Sequence, residues 1–221
     1  IEHKNIKKAI FNVISLLFPI SHKNIKNFYI DSGICFLILN TLSEKLDEVG
    51  NILSMPLAGS CLNLVYVLSC NSYYARDSIL SLGIHDLMIQ LIQSVNEILV
   101  NQGIPETTDF NPDTDLKSFL IFVSTCFQKV FSDLKDTDRQ IIFDTIPQII
   151  NLLNIKIKEV QLEMILILLS IVRTFPSTVF MIFSINSGEI TDHIFTILQN
   201  LDGETITEDL VIFTLKLIGN L

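Results

Sequence analysis

At 221 residues and 25.0 kDa the chain has room for one large domain or two small ones, each with a sizeable core. Hydrophobic residues make up 49% and the mean hydropathy is +0.49, yet the longest apolar run, Met164 to Val172, is about half of the ~20 residues that a bilayer requires. Glu163 and Arg173 bracket that run, so no insertion into a membrane is expected, and a net charge of −9 argues against nucleic acid and favours a basic partner.

Taken in order, Lys4 to Phe18 places Ile6, Ile10, Val13, Ile14 and Leu17 at helical spacing and ends at Pro19. Ser21 is expected to cap a short helix through Asp31, Gly33 to stop it, and Ile34 to Leu46 to form the next. After the acidic connector Asp47 to Asn51, Ser54 and Pro56 open a long helix to about Cys70. Asn71 and Ser72 begin a short helix that Gly83 ends, and Ile84 to about Leu99 follows.

The stretch from Val100 to Asp115 has two prolines, a glycine and little to bury, which predicts an exposed insertion near 100–115. Leu116 to Leu134 is again a long helix, and Thr137 with Gln140 makes a capping-box pair for a short helix to Phe143. Ile146 to Leu153 and Lys156 to Phe175 come next, with Leu166 and Leu169 expected in the core. A short helix from Pro176 to Gly188, a medium one from Thr191 to Leu201, and a last one capped by Thr205 and Glu208 complete the chain. No stretch alternates with period two for long enough to be a strand.

A short helix, a turn, a medium helix and a long helix therefore recur. The turn positions Gly33, Gly83, Thr145 and Gly188 stand 50, 62 and 43 residues apart. The last interval falls in the ~40 to 47 range of helical repeats, and the two longer ones hold the connector and the insertion. The fold class predicted is all-α, a right-handed α-solenoid of about four three-helix repeats, with 1–221 as a single repeat domain. The start at Ile1 and the stop at Leu221, inside a helical pattern, suggest a solenoid truncated at both ends and drawn from a longer chain.

Arg76 to Ile92 (RDSILSLGIHDLMIQLI), Asp31 to Leu42 (DSGICFLILNTL), Ile185 to Leu198 (INSGEITDHIFTIL) and Leu215 to Leu221 (LKLIGNL) carry a resemblance to the armadillo repeat. It implies that order of three helices, with a glycine between the first two and a long third helix. Armadillo proteins that carry nuclear import signals hold an extended peptide with asparagines on the third helices and tryptophans one turn earlier. The resemblance would put the asparagine ladder at Cys70, Ile171 and Asn220, and the tryptophans at Tyr66, Ile167 and Lys216, as possible peptide-groove positions. The chain has no tryptophan and keeps only Asn220, which argues against an import adaptor.

Reactive constellations are few. Asp109, Asn111, Asp113 and Asp115 have the spacing of a calcium loop, but Thr114 and Leu120 stand where the required glycine and bidentate glutamate belong, so no metal is assigned. His3, His22, His85 and His193 lack a second ligand at i+3 or i+4 and read as helix-surface residues. Ser69, Ser124 and Ser170 lack a nucleophile-elbow context, and Cys70 has no assignable base. Glu159 with Glu163 reads as an acidic stripe, and Glu208 with Asp209 as a favourable charge pair at a helix start.

Cys35, Cys61, Cys70 and Cys126 lie in apolar helical patterns, which suggests free thiols and a reducing compartment, cytoplasmic or nuclear. The sequence thus predicts a non-enzymatic, cofactor-free scaffold for protein–protein interaction, docking a partner peptide or helix. The alternatives are a regulatory or spacer solenoid within a large protein and, behind it, an import adaptor or an all-helical enzyme.

Overall fold

Local chemistry sets the helix boundaries. A computed structural model of the chain describes residues 2–46, 55–102, 115–185, 189–199 and 205–219, all of the regular structure among them helical. Unit 1 runs from Ile1 to Val130 and unit 2 from Phe131 to Leu221. Asp109, Asn111 and Asp113 of the calcium-type spacing, the cap at Ser54 and most of the expected insertion lie outside the described residues, while Asp115 accepts from the Ser118 amide at 2.7 Å.

Unit 1 holds α1 (Glu2–Leu17), α2 (Lys23–Asp31), α3 (Ile34–Leu46), α4 (Met55–Asn71), α5 (Tyr73–Ser81), α6 (Ile84–Gln102) and α7 (Leu116–Val130). Gly33 and Gly83 adopt φ of 89° and 70°, the left-handed turn that separates each short helix from the medium one. The Ser72 hydroxyl accepts from the Ala75 amide at 3.2 Å and caps α5. The cap of α2 is His22, whose Nδ1 accepts from the Asn24 amide, whereas Ser21 turns back and donates to the Leu17 carbonyl at 2.7 Å. Ser21 therefore closes α1 instead of opening α2. Helix α6 continues through Gln102, three residues beyond the expected end.

The packing of unit 1 follows one rule: each helix meets the helix three places along. α1 packs on α4, α2 on α5, α3 on α6, and α4 on α7. The nine-residue helices α2 and α5 thus stack on each other, as do α1, α4 and α7 in turn, while α3 stacks on α6, which at 19 residues is longer than α4 or α7. Tyr74 reinforces the short pair by donating to Asp31 at 2.7 Å, and the Cys126 thiol donates to the Leu62 carbonyl between the long ones.

Unit 2 holds α8 (Arg139–Leu152), α9 (Lys158–Thr174), α10 (Thr178–Ser184), α11 (Glu189–Gln199) and α12 (Thr205–Ile218), with a 3-10 turn at Asp136–Asp138 before them. The long helices α9 and α12 pack side by side. Two expectations fail at its start. Asp138, not Gln140, closes the cap by accepting from the Lys135 amide at 2.8 Å, while Gln140 donates to Asp144. No turn forms at Thr145 either. Its hydroxyl donates to the Ile141 carbonyl, Pro147 sits inside a continuous helix, and the expected short and medium helices are one. Without a glycine there, nothing favours the left-handed turn that breaks the helix at Gly33 and Gly83.

Candidate functional site

The long helices show a shared register of burial. Leu57, Cys61, Leu64 and Leu68 of α4 are buried, as are Phe119, Val123, Cys126 and Val130 of α7 and Val160, Met164, Ile167 and Ile171 of α9. Each set steps by four, three and four residues, the spacing of one helical face. Three positions between them stay half-buried in all three helices or open further. They are Asn63, Val67 and Cys70 in α4, Thr125, Lys129 and Ser132 in and just after α7, and Leu166, Ser170 and Arg173 in α9.

These positions make a stripe on each long helix where a bound segment could reach side chains without unpacking the core. The stripe differs from the ladder that the resemblance implied. Ile167 and Ile171 are fully buried core residues, aligned with Leu64 and Leu68, and no docked peptide can touch them. Tyr66 is half-buried and Cys70 exposed, beside the α4 stripe and on it. Lys216 is exposed, its ammonium 4.5 Å from the centre of the Phe213 ring, and Asn220 lies outside the described residues. Leu166 belongs to the stripe, whereas Leu169 is buried as expected.

Helices α4 and α9 both end three residues past the last residue of their buried face, Leu68 and Ile171, so Arg173 and not Ile171 stands where Cys70 does. The 4-3-4 run of apolar residues, which includes Leu57 and Val160, was the signal that would have fixed the register. Chemically the stripe is mixed: amide, hydroxyl, thiol and aliphatic groups, with cations at Lys129 and Arg173. It carries none of the acidity that the net charge advertises.

Two of the serines singled out from the sequence are tied down by hydrogen bonds. The Ser124 hydroxyl is fully buried and donates to the Leu120 carbonyl at 2.9 Å, and the Ser170 hydroxyl donates to the Ser132 carbonyl at 3.2 Å. Such back-bonding lets hydroxyls sit among apolar neighbours, and it leaves no base positioned to activate them. Ser69 is buried. Glu159 and Glu163 are half-buried on α9, while Glu208 and Asp209 are exposed. Among the described residues no group of three or more His, Cys, Asp or Glu side chains comes together, and no single helix is long and apolar enough to cross a membrane.

The four cysteines are free, and only Cys70 is exposed. Burial pushes the Cys35 thiol up to about 11 and raises Cys61 further still, because a thiolate is poorly solvated there. A thiol-labelling reagent at neutral pH should therefore modify Cys70 rapidly in the folded chain and the other three only on unfolding. Rapid labelling of Cys61 would contradict the packing of α4 against α3, where its thiol faces the Ile38 carbonyl.

His85 departs from the surface reading. It is buried at the start of α6, its Nε2 lies 3.5 Å from the Asp86 carboxylate, and burial lowers its pKa against the opposing pull of Asp86. As pH falls below the ordinary imidazole value of about 6.5, the unfolded chain takes up this proton first. Stability present above that pH is thus lost as pH falls through the folded value. Urea unfolding between pH 7 and 5 should show a decline that His85→Gln flattens, and an unchanged slope in the variant would remove His85 as its source. Arg76, to which the sequence assigns no site role, is almost fully buried on α5, with its guanidinium over the Tyr73 ring at 5.2 Å and near Asp77 at 3.5 Å.

No family model matches the chain, and no curated protein or solved structure matches it either.

Proposed function

We propose that the chain is an armadillo-type solenoid acting as a protein–protein interaction scaffold, with the long-helix stripes as its docking surface. The observation that carries this is the shared register. Three long helices bury the same 4-3-4 face and leave the same three positions open, so a partner laid across α4 and α7 of unit 1 meets equivalent contact points. The pairing of each unit 1 helix with the helix three places along supports the three-helix repeat behind it. Stacked repeats present such surfaces at little added folding cost, and they serve binding more often than chemistry. Catalysis has no support of this kind: the Ser124 hydroxyl is bonded back to the Leu120 carbonyl, and the buried Ser69 hydroxyl has no base beside it. The four cysteines, three of them buried and all free, fit a reducing compartment, cytoplasmic or nuclear.

The partner is a protein segment with apolar and neutral polar side chains, presented as a helix or extended peptide. A basic import-signal peptide does not suit the stripe, which carries Lys129 and Arg173 and lacks tryptophan. The net charge of −9 attracts such a peptide only at long range. That attraction fades as the Debye length falls from ~10 Å at 0.1 M salt to ~3 Å at 1 M. Calorimetric titration of a lysine-rich import-signal peptide should show weak binding at low salt and none at high salt. Sub-micromolar binding that survives high salt would replace this reading with an import adaptor.

A further inference from the structure

We propose that the segment docked on the unit 1 part of the stripe is an amphipathic α-helix of a partner protein, seated along α4 and α7 with its apolar side inward and an acidic side chain set against Lys129. This rests on the scaffold reading and specifies what the scaffold holds. Helix α4 packs on α1, α3, α5 and α7, and α7 packs on α4, α5 and α6, so what the two leave open is left open among packed neighbours. Asn63, Val67 and Cys70 of α4 step by four and three residues, and Phe122, Thr125 and Lys129 of α7 by three and four. Each set keeps to one face, at the average of about 3.5 residues that lets one helix lie along another. Cys70 is exposed and the other five are half-buried. Two such seams side by side seat a third helix.

The seams suit a segment that has already satisfied its own backbone. An extended peptide brings an N–H and a C=O at every residue, and those turned away from water need partners on the surface that holds them. Val67 and Phe122 have no hydrogen-bonding group in their side chains, and the Cys70 thiol is a weak donor. The Thr125 hydroxyl donates to the Ile121 carbonyl at 3.1 Å, and Asn63 is the single amide among the six. A helix closes its N–H and C=O groups within itself and presents side chains alone. Val67 and Phe122 then meet its apolar side.

Charge sets the rest of its composition. Met55–Asn71 contains no charged residue, and Leu116–Val130 contains Lys117 and Lys129 but no aspartate or glutamate, in a chain that carries 24 of them. Asp115, just ahead of α7, accepts from the Ser118 amide, and Asp133 lies beyond the helix end. The sign on the seams is thus the opposite of the chain's. A lysine ammonium has three donors to share, so a carboxylate in reach of Lys129 is the complement that a cationic side chain is not.

Two peptide libraries displayed on phage and selected against the whole chain decide the matter. One randomises one side of a helix-forming frame of ~20 residues, and the other randomises the same positions between prolines that bar a helix. The helical library should yield the binders, with Asp or Glu beside an apolar side. They should lose at least tenfold in affinity when a central residue becomes proline, and as much with Val67→Arg, Thr125→Arg or Lys129→Glu, variants that should melt like the wild type. Because the proline sits in the peptide, that comparison holds however the variants fold. Binders from the proline library that Val67→Arg and Thr125→Arg weaken, or helices that tolerate the central proline, would overturn the helical occupant and leave the scaffold reading standing. Helices that bind Lys129→Glu as well as the wild type would overturn the acidic contact. Binders that ignore Val67→Arg and Thr125→Arg, or no binder from either library, would overturn this proposal and the scaffold reading together.

Discussion

Ile171→Asp is expected to abolish the cooperative unfolding of unit 2, while Ser170→Asp, one residue away, leaves the helix and its melting nearly unchanged. Ile171 is fully buried on α9 among the residues of its 4-3-4 face, whereas Ser170 lies on the half-exposed stripe. An unpaired carboxylate driven into an apolar interior costs several kcal/mol, against a typical total stability of only ~5 to 15 kcal/mol. On the stripe the same carboxylate keeps its water. The Ser170 variant loses one hydrogen bond, to the Ser132 carbonyl, worth ~1 kcal/mol. Circular dichroism against temperature reads both effects. If Ile171→Asp melts like the wild type, Ile171 faces solvent and belongs to the docking surface after all.

Phe127→Ala should cost ~3 to 5 kcal/mol, the usual range for truncating a buried aromatic side chain when the surroundings collapse only in part. Phe127 is fully buried in α7, which packs on both α4 and α6, so little can move to fill the space. The partner experiment lies on α9, where Leu169→Ala should cost ~2 to 5 kcal/mol and Leu166→Ala clearly less, because only Leu169 is fully withdrawn from water. Urea midpoints at constant slope give the comparison. Equal losses for Leu166 and Leu169 would contradict the register on which the stripe rests.

Much of this fold was legible because its signals are local. Gly33 and Gly83 announce their turns through a backbone conformation that other residues resist, and α3 runs from Ile34 to Leu46 as read from the pattern. The failures share a cause as well. At Thr145 the expected turn rested on an interval between repeats, with no residue there that favours positive φ, and the helix simply continues. At Ser21 two helix ends compete for one hydroxyl, and proximity to the Leu17 carbonyl wins. The surface of the site was the least legible part. An apolar helix such as α9 offers apolar residues on nearly every side, so composition alone does not separate Ile167 in the core from Leu166 on the stripe. That choice depends on which neighbours stack on it.

The claim that the long-helix stripes dock a protein segment is tested most directly by selecting a random peptide library displayed on phage against the whole chain, then measuring the enriched peptides against three variants. Val67→Arg and Thr125→Arg alter the stripe at half-exposed positions, and Phe36→Arg alters an exposed position on α3 away from it. Enriched peptides should lose at least tenfold in affinity, ~1.4 kcal/mol, with either stripe variant and keep it with Phe36→Arg. Peptides that bind all three variants like the wild type would contradict it, and a library that yields no binder would leave the chain a spacer.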